Sequence, residues 1–99
     1  MSESHRKKHI AWEQLLQQKP HLDQAFHSIA SVCPDLTKME LRVCVLVREG
    51  LYSWEIAANL NVSERTIETH RYHAHKKITE QFGNDLSFSL SAFLRSLII

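Results

Sequence analysis

The side chains best suited to chemistry lie in one run, Ser63-Glu64-Arg65-Thr66-Ile67-Glu68-Thr69-His70-Arg71-Tyr72, with Lys76 and Lys77 just beyond it. Wound as a helix at roughly 100° per residue, this stretch brings Ile67, Ala74 and Ile78 within about 40° of one another, flanked by His70 and Arg71. Arg65, Glu68, Thr69, Tyr72 and Lys76 share the opposite side, inside an arc of roughly 100°. One face can dock on a small core. The other carries donors and acceptors with the reach that base edges and phosphates require. Taken alone, the periodicity also fits an ordinary amphipathic surface helix.

What precedes the run favours the nucleic-acid reading. Trp54-Glu55-Ile56-Ala57-Ala58-Asn59-Leu60 is a short amphipathic stretch behind a candidate cap, Ser53, and Asn61-Val62-Ser63 separates it from the next helix. Two helices joined by a three- or four-residue turn form a helix-turn-helix, whose second helix enters the major groove. Asn61 can supply the bend, because Asn tolerates left-handed dihedrals better than most residues. Val62 can then point inward, and Ser63 is the expected N-cap of the reading helix.

The remaining elements must hold this unit. Two Gly and two Pro in 99 residues leave long stretches without breakers, which favours an all-α fold. A helix is expected over about 6–18, with residues 1–5 frayed and Trp12, Leu15 and Leu16 on one side; Arg6-Lys7-Lys8 reads as a solvated helix start. A second helix, about 20–33, takes Pro20 in its first turn and carries a core stripe of Leu22, Phe26, Ile29 and Cys33 before Pro34 ends it. Thr37-Lys38-Met39-Glu40 has the form of a capping box, opening a helix that runs to about Glu49 and stops at Gly50. Its β-branched run Val43–Val47 could form a strand on its own, but the cap, the terminal Gly and the length decide for helix. A helix apolar on most sides must be covered on most sides, by the helix-turn-helix on one flank and the N-terminal helices on another. A last helix, about 85–98, turns Leu86, Leu90, Phe93, Leu94 and Leu97 inward. Phe88, Ser91, Ala92 and Arg95 fall on its far side and form the candidate dimer contact.

Composition narrows the function. The formal net charge is only +1, yet four cations against two carboxylates leave the stretch 64–78 at +2. His70, His73 and His75 spread around the helix, so they form no shared metal face, and only His5 and His9 stand at i, i+4. No supporting Cys or carboxylate cluster accompanies them, so neither metal nor cofactor is expected. With no glycine-rich phosphate loop and no nucleophile beside a paired base, an enzyme is not expected and no catalytic residue is assigned. Cys33 and Cys44 make no disulfide framework, and Cys44 reads as a small buried hydrophobe. No apolar run approaches the roughly 20 residues of a membrane span, and no signal-peptide core follows the N-terminus, so a cytoplasmic protein is expected.

The residues that carry these features also resemble a known family, the LuxR/NarL (GerE-type) DNA-binding domain of bacterial regulators. The matching text is Asp35-Leu36-Thr37 with Glu40-Leu41, Glu49-Gly50-Leu51, Glu55-Ile56-Ala57, Leu60, Val62-Ser63, Thr66-Ile67, His70-Arg71 and Lys76-Lys77-Ile78. The resemblance covers about 35–97, and the stretch upstream is similar to the linker helices of some larger sensors of that type. It implies a four-helix LuxR-type helix-turn-helix domain, residues 35–99, preceded by one or two N-terminal helices in an extension, residues 1–34. By family position Glu68, Thr69 and Tyr72 would face DNA bases, while Arg65, Thr66, His70, Lys76 and Lys77 would lie near phosphates. The implied partners are duplex DNA, a second copy through the last helix, and RNA polymerase, with no membrane. Two rival readings share part of the pattern. Region 4 of sigma factors has a similar Leu-Thr … Glu-Ile-Ala text and also binds DNA. A degenerate helix-turn-helix that modulates another regulator would fit the low charge, Trp54 and Glu68.

Overall fold

The computed structural model describes the backbone of residues 3–83 and 89–97, with side chains described from residue 11 onward within them. These residues form α1 (Glu3–Gln18), α2 (His21–Val32), α3 (Lys38–Arg48), α4 (Ser53–Leu60), α5 (Glu64–Phe82) and α6 (Leu90–Ser96). The all-α expectation holds, and the element order matches that read from the sequence. α1 begins at Glu3, earlier than the frayed start expected, and α2 begins just after Pro20, which is itself in helical geometry.

α3 is the centre of the packing and touches α2, α4, α5 and α6. Its capping box is complete: the Glu40 N–H donates to Thr37 Oγ1 at 3.1 Å, and the Thr37 N–H donates to Glu40 Oε1 at 2.8 Å. The end is equally well defined. Gly50 takes φ +93, the Leu51 N–H reaches the Leu46 carbonyl at 3.2 Å, and the Gly50 N–H reaches the Val47 carbonyl at 3.0 Å. Those two bonds make a Schellman closure, whose left-handed residue has no side-chain clash when it is Gly. Between the caps, Val43, Cys44, Val45, Leu46 and Val47 are all buried. A β-branched run therefore lies in a helix, because local caps fix both ends and neighbouring helices cover every side.

The N-terminal helices share this core. Leu22, Ala25, Ile29 and Cys33 are buried with it, as is Trp12, whose ring lies 5.9 Å from that of Phe26. The Arg42 guanidinium covers the other Trp12 contact at 5.5 Å from the ring centroid, a cation–π pairing that links α3 to α1. α1 also packs along α4, so the extension braces the first helix of the turn unit directly.

At the other end, α6 is shorter than the helix expected over 85–98. Ser89 caps it by accepting the Ala92 N–H at 3.2 Å, and Leu90, Phe93 and Leu94 are buried as expected. Phe88, with Asp85, Leu86 and Ile98, lies outside the described residues. Arg48 holds the end of α6, its Nε donating to the Leu94 carbonyl at 3.1 Å and its Nη2 to the Leu97 carbonyl at 3.4 Å. A cation at a helix C-terminus meets both its unpaired carbonyls and its dipole.

Candidate nucleic-acid interface

The turn between α4 and α5 is built as its residues dictate. Asn61 adopts φ 59, ψ 45, and the Val62 N–H closes back onto the Ala57 carbonyl at 3.1 Å. Among the described residues it is the non-glycine position with positive φ, which an Asn tolerates and a β-branched residue would not. Ser63 caps α5, accepting the Thr66 N–H at 3.1 Å and sharing a 2.8 Å hydrogen bond with the Thr66 hydroxyl. The cap of α4 differs from the expectation. Ser53 is already helical, and the extended residue before it is Tyr52, whose N–H donates to Glu55 Oε1 at 2.8 Å. The carboxylate reaching back, rather than a hydroxyl reaching forward, organises this helix start.

α5 is fixed from beneath by Ile67, Ala74 and Ile78, all fully buried, and by one ion pair. Lys77 Nζ donates to Glu40 Oε1 at 2.8 Å, and the Glu40 side chain is only 4% exposed. Burial pushes the Glu40 carboxyl up. The Lys77 hydrogen bond, the Thr37 N–H and the Lys77 charge together outweigh that and hold it below the ordinary value. One carboxylate thus caps α3 and anchors α5. Nearby, burial pushes the Cys44 thiol up to about 12, which makes it an inert core residue.

The outer face of α5 presents the residues expected of it. Arg65, Thr66, Glu68, Thr69, Tyr72 and Lys76 are all exposed, Tyr72 at 64%, while His70 and Lys77 are half-buried. The Thr69 hydroxyl donates to the Arg65 carbonyl at 3.1 Å, so what it can offer a further partner is its acceptor lone pairs. The Tyr72 ring rests 5.6 Å from the His73 ring. Lys77 is set apart from the other cations by its bond to Glu40.

A cleft of about 410 Å³ flanks this face, lined by Tyr52, Ser53 and Trp54 from the start of α4 and by Glu64, Glu68 and Arg71 from α5. Tyr52 and Trp54 are 69% and 61% exposed. Sequence reasoning passed over Tyr52; the signal was a large aromatic placed between Gly50-Leu51 and a helix start, where a small polar cap is the usual choice. A smaller neighbouring cleft joins Arg71 and Tyr52 to Gly50, Ser91 and Arg95. Of the other dimer candidates, Ala92 is exposed on α6 and Ser91 is half-buried. A groove of about 640 Å³, lined by Gln14, Gln18, Asn59 and Asn61 among others, lies between α1 and α4 and includes no α5 residue. Among the described residues no group of three or more His, Cys, Asp or Glu could hold a metal ion, and no helix is long and apolar enough to cross a membrane.

Residues 34–81 match the family described as bacterial regulatory proteins, luxR family (GerE). The match spans α3, α4 and nearly all of α5, and leaves α1, α2 and α6 outside it. Neither the search of curated proteins nor that of solved structures found a match.

Proposed function

We propose that this chain, whose residues 34–81 match the luxR family of bacterial regulatory proteins, binds duplex DNA sequence-specifically, as a dimer on a two-fold site, with α5 in the major groove. The observation that supports this most strongly is the division of α5. Three fully buried residues fix one face, and Arg65, Glu68, Thr69, Tyr72 and Lys76 stand exposed on the other. In a helix-turn-helix the first helix crosses the backbone and the second reads base edges.

Within that reading Glu68, Thr69 and Tyr72 face the bases. Arg65, Thr66, His70 and Lys76 hold phosphates, supplying much of the affinity through counterion release. Lys77 serves the same interface differently, by tying α5 to Glu40, with any phosphate contact left to its remaining donors. Ser91, Ala92 and Arg95 on α6 form the dimer contact, together with Phe88. The protein acts in the cytoplasm, with RNA polymerase as a partner at the promoter.

The test compares two substitutions. Tyr72→Ala is expected to change which sequences are preferred, whereas Lys76→Ala is expected to weaken all duplexes and flatten the salt dependence. Identical behaviour of the two variants would refute the division between base and phosphate contacts. Failure of the intact chain to bind any duplex at low salt would favour the protein-interaction reading instead.

A further inference from the structure

The two flanks of the exposed α5 face differ in chemistry. Arg65 and Lys76 stand on one side, while the side facing the start of α4 carries Glu64 and Glu68, with Arg71, beside Trp54 and Tyr52. Two carboxylates against one guanidinium leave the second flank negative on balance, so it suits a base edge better than the phosphate backbone. An ionised carboxylate offers only acceptors. In the major groove cytosine presents the N4 amino donor, adenine a donor beside an acceptor, thymine the O4 acceptor, and guanine two acceptors. A carboxylate is therefore satisfied by cytosine, half opposed by adenine, and opposed by thymine and guanine.

The neighbouring residues extend that preference. C4 and C5 are adjacent ring atoms, so a side chain bonded to the N4 amino group leaves the C5 edge open to whatever lines the same cleft. Here that is Trp54, a flat apolar surface 61% exposed. We propose that Glu68 and Trp54 together read one cytosine in each half-site, Glu68 accepting from N4 and Trp54 packing on the C5 edge. This assignment rests on the DNA-binding reading above and names the base that reading leaves open.

The test starts from the operator selected by the intact chain out of random-sequence duplexes. At the assigned position four pyrimidines are compared: 5-methylcytosine, cytosine, thymine and uracil. They separate the N4 donor from the C5 methyl group. The expected order of affinity is 5-methylcytosine, cytosine, thymine, uracil, with about ten-fold lost from cytosine to thymine and about three-fold gained by each methyl group. Glu68→Gln collapses the cytosine–thymine step, because an amide can donate to O4 as readily as it accepts from N4, and keeps the methyl step. Trp54→Ala removes the methyl step and keeps the other. Both side chains are exposed, so circular dichroism is expected to show both variants folded. An operator with no cytosine whose replacement is felt through Glu68, or a methyl step indifferent to Trp54→Ala, overturns the assignment while leaving DNA binding intact. If the chain selects no sequence at all, the DNA-binding reading fails and this assignment with it.

Discussion

In α3 seven of eleven residues are buried, whereas in α5 three of nineteen are, and the two helices pack directly on each other. The shorter helix gives most of its side chains to the core, and the longer one keeps most of its own exposed to solvent. Neither could exist in that form alone. α3 without neighbours would expose a run of Val, Leu and Cys, and α5 without α3 would have nothing beneath Ile67, Ala74 and Ile78. Stability and the proposed recognition are thus carried by different helices that meet along one seam, so substitutions in the two are expected to fail in different ways.

The sharpest way to break that contrast is in α3. Leu46→Ala removes a side chain only 2% exposed and is expected to destabilise by about 2–5 kcal/mol. Urea denaturation measures it, and DNA binding is expected to fall only as the unfolded fraction rises. An unmoved unfolding midpoint would deny α3 its central place. In α5 the converse is expected. Tyr72→Ala changes discrimination among DNA sites by about 1–3 kcal/mol and leaves folding stability within about 0.5 kcal/mol. Competition binding and urea denaturation on the same sample compare the two effects.

At the entrance to α5, Asn61→Ala is expected to cost about 1–2 kcal/mol through its left-handed dihedrals. Asn61→Gly is expected to be close to neutral in the same thermal melt, since Gly lacks the clash.

The smallest expected effect lies on the seam itself. Glu40 is held below its ordinary value in the folded state, so its ionised form contributes stability above the unfolded value of about 4.3. That contribution is lost as pH falls through the lower folded value. Glu40→Gln preserves the capping geometry but not the charge facing Lys77, and is expected to cost about 1 kcal/mol at neutral pH, given that Lys77 is partly exposed. The difference from the parent protein is expected to vanish in acid. A pH series of urea midpoints in which the difference persisted at low pH would contradict the assigned origin of the shift.

Much of this arrangement was legible in the sequence because it is local. The capping box at Thr37, the glycine at position 50, the bend at Asn61 and the Ile67–Ala74–Ile78 stripe each depend on residues a few positions apart, and each appears as read. The outward set on α5 follows from the same periodicity. What escaped depends on long-range proximity. Glu40 was legible as a cap but not as the partner of Lys77, 37 residues away. Arg48 was an ordinary last-turn cation until α6 brought the Leu94 and Leu97 carbonyls to it. Tyr52 was missed for a local reason, because the capping contact at α4 comes from Glu55 and frees the N-cap side chain to be anything. The cleft it forms with Trp54 and Glu68 became visible only once α4 and α5 were placed side by side.

The most direct test of the central claim, that the exposed face of α5 binds duplex DNA, is fluorescence anisotropy of the intact chain with a duplex across a salt series. Arg65 and Lys76 from each of two copies would neutralise four phosphates. At about 0.9 per contact, the account predicts a log–log slope of about −3.6. A slope near zero, or no binding at the lowest salt, would contradict it.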